Sequence, residues 1–149
     1  MGYRIETADP TDERAQTALT SFLAEMAERV DTRFLDEDVR AQASKPEFFV
    51  LALDDSDRAV GCGALRQVSP DTGEIGQMWV NPVLRGRGIG RRMLSALEGA
   101  AAVANLDSVR LETHENLHES VLLFETNGYQ RVESGENEVA THVYEKQLA

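Results

Sequence analysis

Arg85-Gly86-Arg87-Gly88-Ile89-Gly90 is the segment of this 149-residue chain whose residue types and spacing speak most directly of chemistry. Its glycines let backbone come close to a ligand, and Ile89, Met93 and Leu97 recur behind it at helical spacing. The first N–H groups of a helix have no internal partner, so a glycine-rich turn feeding a helix start is a ready anion site. Arg85, Arg87, Arg91 and Arg92 crowd that start, where the helix dipole disfavours cations, in a chain of net charge −11. Positive charge at its least comfortable place points to an anionic ligand, a phosphate or pyrophosphate. Two commoner phosphate loops do not fit. A dinucleotide fingerprint counted from Gly86 needs glycine at position 91, which is Arg91, and no glycine-lysine-serine/threonine run exists.

The elements that must position this loop alternate along the chain, the pattern of an α/β fold. Residues 3–7 read as a first strand. Asp9 and Pro10 offer a helix cap and first turn, and Leu19, Phe22, Leu23, Met26 and Val30 make a helical apolar stripe. The charged stretch 31–44 is expected to hold a bend and a short second helix, closed by Lys45-Pro46. Residues 48–53 and 60–68 read as strands joined by a turn at 54–58, and the loop 69–73 leads into a fourth strand ending at Asn81-Pro82. The loop helix is expected over 89–104 and a fifth strand over 109–113. A further helix follows over 118–127, stopped by Gly128. Two last strands, 129–133 and 142–146, flank the polar loop 134–138. No linker or repeat interrupts the chain, so residues 1–149 form one domain.

These segments together resemble the GCN5-related N-acetyltransferase (GNAT) superfamily. Arg85 to Gly90 match its arginine-x-x-glycine-x-glycine loop, and Glu74-Ile75-Gly76-Gln77-Met78-Trp79-Val80-Asn81-Pro82 looks like its strand four. Leu111-Glu112-Thr113 looks like strand five. Phe124-Glu125-Thr126-Asn127-Gly128-Tyr129 resembles the helix-then-glycine-aromatic segment, and Tyr144-Glu145-Lys146-Gln147-Leu148 is similar to the last strand of many small members. The likeness is specific from residue 60 onward and only topological before it. It implies an α/β (α+β) single domain: a mixed, mostly antiparallel sheet of about six to seven strands, about four flanking helices, and strands four and five splayed apart.

The resemblance implies an acetyltransferase that moves acetyl from acetyl-coenzyme A to a primary amine of a small molecule or peptide through a direct ternary complex. Holding both reactants side by side supplies much of the acceleration. Backbone groups of Met78, Trp79 and Val80 are expected along the pantetheine arm and thioester. Those of Arg85, Gly86, Arg87, Gly88, Ile89 and Gly90 are expected on the pyrophosphate, with Arg91 in support. Amines arrive protonated, so a base or a water chain is needed. Glu74 occupies the strand-four position where many members carry a glutamate acting directly or through water. An exposed strand-edge carboxylate or a substrate-binding anion is the alternative reading of it. Glu112 and His114 alternate onto one face of strand five, and His114 is a second base candidate because histidine titrates near neutrality. Phe124 stands where many members have a tyrosine whose hydroxyl protonates the departing thiolate. It cannot donate, and packs on the coenzyme or the core instead. Asn116 lies one residue early for the family's coenzyme-contacting asparagine, with Leu117 at the matching position. Alternatives are a coenzyme-binding regulatory module without catalysis, another acyl-coenzyme A donor, or a hydroxyl acceptor.

Composition narrows the field further. No apolar run reaches the length of a membrane span, and Met1-Gly2-Tyr3-Arg4 has no signal-peptide core, so a cytoplasmic protein is expected. The single cysteine, Cys62, excludes an internal disulfide and a cysteine metal cage, and three scattered histidines give no metal spacing. A net charge of −11 without a basic stripe argues against nucleic acid and suits a cationic acceptor, helped by Asp31, Asp36, Glu37 and Asp38. Homodimers are common among proteins of this kind.

Overall fold

The computed structural model describes residues 2–35, 47–133 and 142–148. Seven strands form one sheet in the order β1-β2-β3-β4-β5-β7-β6. They are β1 Arg4–Thr7, β2 Phe48–Leu53, β3 Ala59–Gln67, β4 Thr72–Val80, β5 Ser108–Thr113, β6 Gln130–Glu133 and β7 His142–Gln147. Every neighbouring pair is antiparallel except β4 and β5, which are parallel. Three α-helices flank it among the described residues: α1 Glu13–Arg29, α2 Ile89–Val103 and α3 His118–Thr126. Most of the stretch expected to hold a second short helix lies outside the described residues, which retain a 3-10 turn at Thr32–Leu35.

Alternation along β2 explains the two-layer core. Phe49, Leu51 and Leu53 join Ala15 and Ala18 of α1 and Cys62 and Ala64 of β3 on one face. Val50 and Ala52 join Met93, Leu97 and Ala101 of α2 on the other. A strand covered on both sides reads as an unbroken apolar run, as Phe48–Leu53 does. Helix α1 begins later than Asp9-Pro10 suggested. Asp9 folds onto Thr11, accepting from its N–H at 2.8 Å, and Asp12 caps the helix by accepting from Arg14 N–H at 2.8 Å.

Two irregularities open the sheet. First, β4 pairs with β5 only where Thr72, Gly73 and Glu74 face Ser108, Val109 and Arg110. Beyond that point the strands diverge. Second, the β3–β4 register passes from Cys62–Trp79 to Ala64–Gly76, so Gly63 faces both Gln77 and Met78 in a bulge. Gln77 takes a left-handed backbone there, with φ of 56°. A Cβ on Gly63 would stand 2.7 Å from Met78 Sδ and 2.9 Å from Leu97 Cδ1, so a side chain there would have to push both neighbours aside.

Candidate active site

Divergence of β4 from β5 creates a cleft of about 360 Å³. Residues Ile75 to Val80 form one wall and Leu111, Glu112 and Thr113 the other, while α1 contributes Phe22, Glu25 and Met26. The glycine loop closes one end of the cleft, and α3 adds Ser120, Leu123 and Phe124. Of the expected coenzyme ligands, Met78, Trp79, Val80, Arg85, Gly86, Gly88, Ile89, Gly90, Arg91 and Phe124 all border this cleft.

The loop has the geometry of an anion cradle. Asn81 caps the turn Pro82–Leu84, its side chain accepting from Val83 N–H at 3.2 Å, so the chain leaves β4 abruptly. Gly86 and Gly88 then take φ of 83° and 82°, and Gly88 is the N-cap of α2 with no side chain to satisfy it. The bond to Gly88 O comes from Arg92 N–H at 3.1 Å, which leaves the N–H groups of Ile89, Gly90 and Arg91 turned out of the helix start. Arg87 and Arg91 are exposed, and neither has an ion-pair partner among the described residues.

Arg85 is held differently. Its Nε donates to Val80 O at 3.0 Å, and its Nη2 donates to both carboxylate oxygens of Glu25 at 2.8 Å. Arg29 bridges the same Glu25 at 2.8 Å and Glu119, and donates to Asn116 O at 3.0 Å. Trp79 Nε1 donates to Glu25 at 3.2 Å. These groups join α1, β4, the loop and α3 across the cleft. Burial alone would raise the Glu25 pKa, but hydrogen bonds from Arg29 and Arg85 outweigh it and hold the carboxyl below its ordinary value. The Arg29 hydrogen bond does the same for Glu119, and the two carboxylates push the Arg29 pKa up.

Several expected residues sit elsewhere. Glu74 does not border the cleft; it pairs with Arg66 at 2.8 Å and Arg110 at 3.8 Å. Arg110 in turn pairs at 3.0 Å with Glu112, which does border it. His114 accepts from Asn116 N–H at 3.0 Å, and the Asn116 amide donates to Arg29 O at 3.3 Å, so both shape the α1–α3 junction. Asp31 is bound by Arg33, while residues 36–38 lie outside the described residues. Phe124 is buried between Tyr129 and Tyr144, with ring centroids 5.8 and 6.1 Å away. Both neighbouring hydroxyls are committed: Tyr129 donates to Glu98 and Tyr144 to Glu125. No tyrosine borders the cleft among the described residues. Cys62 is fully buried with its pKa pushed up by burial, and its thiol donates to Gln77 O at 3.2 Å.

Sequence reasoning missed Glu25, Arg29 and Glu119, whose only signal was helical spacing that brings 25 and 29 onto one face of α1. It also missed Gln77 and Thr113, whose Oε1 and Oγ1 are buried without a partner on opposite walls of the cleft. No group of His, Cys, Asp or Glu suited to a metal occurs among the described residues. Nor is any helix among them long and apolar enough to cross a membrane.

Comparison with known proteins agrees with this architecture. An IAA acetyltransferase of Azospirillum brasilense is 34% identical over 87 residues, a match spanning 58% of this chain and 57% of that relative. The structure of a GNAT-family acetyltransferase from Staphylococcus aureus Mu50 superposes with a TM-score of 0.81 at 16% identity, covering 98% of this chain and 100% of the other. A GNAT-family acetyltransferase from Elizabethkingia anophelis, solved with acetyl-CoA bound, gives a TM-score of 0.74 at 14% identity and 97% coverage of both chains. These two share the fold. The profile of the acetyltransferase (GNAT) family itself matches residues 14–129, so the chain belongs to that family.

Proposed function

We propose that this chain is an N-acetyltransferase that moves acetyl from acetyl-coenzyme A to an amine. The observation that carries this reading is continuity. One cleft runs from an uncapped helix start, beside which Arg87 and Arg91 have no ion-pair partner among the described residues, into the gap between two diverging strands. A long ligand with an anionic waist and an apolar arm fits that path, its pyrophosphate on the N–H groups of Ile89, Gly90 and Arg91. Its arm then lies along the Met78–Val80 backbone, with Phe124 and Leu123 as apolar wall. Acetyl-CoA bound to a protein of the same fold supports the assignment.

The reaction joins a neutral amine to the thioester carbonyl carbon. The C–N bond forms, the C–S bond breaks, the nitrogen loses a proton and the thiolate gains one. Glu112 is the carboxylate bordering the cleft on strand β5, and in our reading it takes the proton, directly or through water. Glu74 acts behind it by holding Arg110. Phe124 leaves thiolate protonation to water or to the departing ammonium.

Thiol release from acetyl-coenzyme A, measured across polyamines, arylalkylamines, amino acids, aminoglycosides and peptides, tests the proposal. Turnover with an amine supports it. Tight coenzyme binding with no turnover on any of them would replace it with a regulatory module.

A further inference from the structure

Strands β3 and β4 contain four glycines, and three of them are crowded. A Cβ would stand 2.9 Å from Trp79 O on Gly61, 2.7 Å from Met78 Sδ on Gly63, and 2.9 Å from Leu65 Cδ1 on Gly73. Gly76 is the exception. Apart from its chain neighbours, a Cβ there meets nothing within 4 Å among the described residues. Nor is its backbone left-handed, unlike that of Gly86, Gly88 and Gly128. Glycine inside a strand costs stability, and it often marks a place where a ligand comes close to the backbone. Gly76 borders the cleft.

Strand geometry tells which side this space faces. Ile75 packs with Met93 and Leu97 beneath α2, so Gly76, the next residue, turns to the face that carries α1. On β5, Leu111 belongs to the same α2-side core, which puts Glu112 on the α1 side as well. The parallel register pairs Glu74 with Arg110 just before the strands part. Carried two residues further, that register sets Gly76 across the opening from Glu112. Leu123 and Phe124, the apolar wall assigned to the coenzyme arm, pack on the α2 side instead. Resting on the acetyltransferase reading above, in which Glu112 takes the proton, we infer that Gly76 determines which acceptors fit. Its missing side chain leaves the gap in which the amine-bearing end of the acceptor sits beside Glu112. A side chain at this position would stand in that gap.

Thiol release is measured with phenethylamine, spermidine, L-lysine and kanamycin as acceptors, and the fastest of them serves as the probe. Gly76→Ala should lower kcat/KM for that acceptor about tenfold and Gly76→Val about a hundredfold, the scale on which single misplaced carbons act in a fitted site. KM for acetyl-coenzyme A should change less than about twofold in both variants, because its arm lies on the other side. Tm should hold or rise, since the added groups meet no described neighbour and the strand loses a glycine. Parent-like kcat/KM for the acceptor in both variants overturns the inference. So does a rise in KM for acetyl-coenzyme A as large as that for the acceptor, which would give the space to the acyl group. A fall in Tm in both variants overturns it too, because the space would then be filled in the folded protein. Coenzyme binding without thiol release from any amine of the wider panel is a different failure, because it removes the acetyltransferase reading itself.

Discussion

Two arginines of the same motif have opposite surroundings, and exchanging each for alanine should therefore have opposite consequences. Arg85 donates to Val80 O and to both oxygens of Glu25. Removing one partner of a fully buried pair costs ~3–5 kcal/mol, whereas a surface pair contributes ~0–1 kcal/mol. The Arg85 and Glu25 side chains retain 26% and 18% of their surface exposed, and Glu25 keeps Arg29 and Trp79 as partners. Arg85→Ala should then destabilise by about 1–2 kcal/mol, between those limits, lowering Tm by about 2–8 °C for a chain of this size. Coenzyme affinity should change less than threefold. Arg91 is exposed at the helix start and has no ion-pair partner among the described residues, so Arg91→Ala should leave Tm within a degree of the parent. It removes a charge-assisted contact worth ~1–2 kcal/mol, a loss in coenzyme affinity of about 5–30-fold that shrinks as salt rises. Differential scanning calorimetry and isothermal titration with coenzyme A give both quantities on both variants. If Arg85→Ala weakened coenzyme binding more than Arg91→Ala, or left stability untouched, the division of labour would be refuted.

Phe124→Ala should cost ~3–5 kcal/mol in urea unfolding, because it empties a site closed by Tyr129 and Tyr144. Glu112→Gln should lower kcat by ~10²-fold or more with coenzyme affinity unchanged, and should flatten the rise of kcat with pH. Glu74→Gln, one ion pair further back, should have the smaller effect. Glu25 and Glu119 are held below the ordinary glutamate value of 4.5, so the stability they add is full above that pH and is lost as pH falls through their lower folded values. A series of melting curves from pH 7 to 3 should show this acid limb, and Glu25→Gln should make it shallower.

What the sequence revealed follows from which interactions are local. The strands and helices carry their own periodicity and stop signals, and so Phe48–Leu53, Ile89–Val103 and His118–Thr126 were expected within a residue or so of where they lie. The glycine loop announced itself because left-handed backbone at Gly86 and Gly88 needs that residue type. Glu25, Arg29 and Glu119 stayed hidden because solvated helix faces look the same on paper as a network between α1, the loop and α3. Glu74 attracted attention by its place in the strand, yet the short parallel pairing with β5 puts it opposite Arg110, and the cleft begins only beyond it. The bulge at Gln77 left one trace, the Gly63 opposite it, and the close approach of Met78 and Leu97 to this glycine is visible only in three dimensions.

The central claim is that coenzyme A lies in the cleft with its pyrophosphate on the start of α2. Backbone amide chemical shifts followed by two-dimensional 15N NMR during titration with coenzyme A test it residue by residue. Saturable shifts largest at Gly88, Ile89, Gly90 and Arg91, with a second group at Met78, Trp79 and Val80, are the predicted result. Saturable binding that leaves the loop amides unmoved, or no binding at all, would contradict the account.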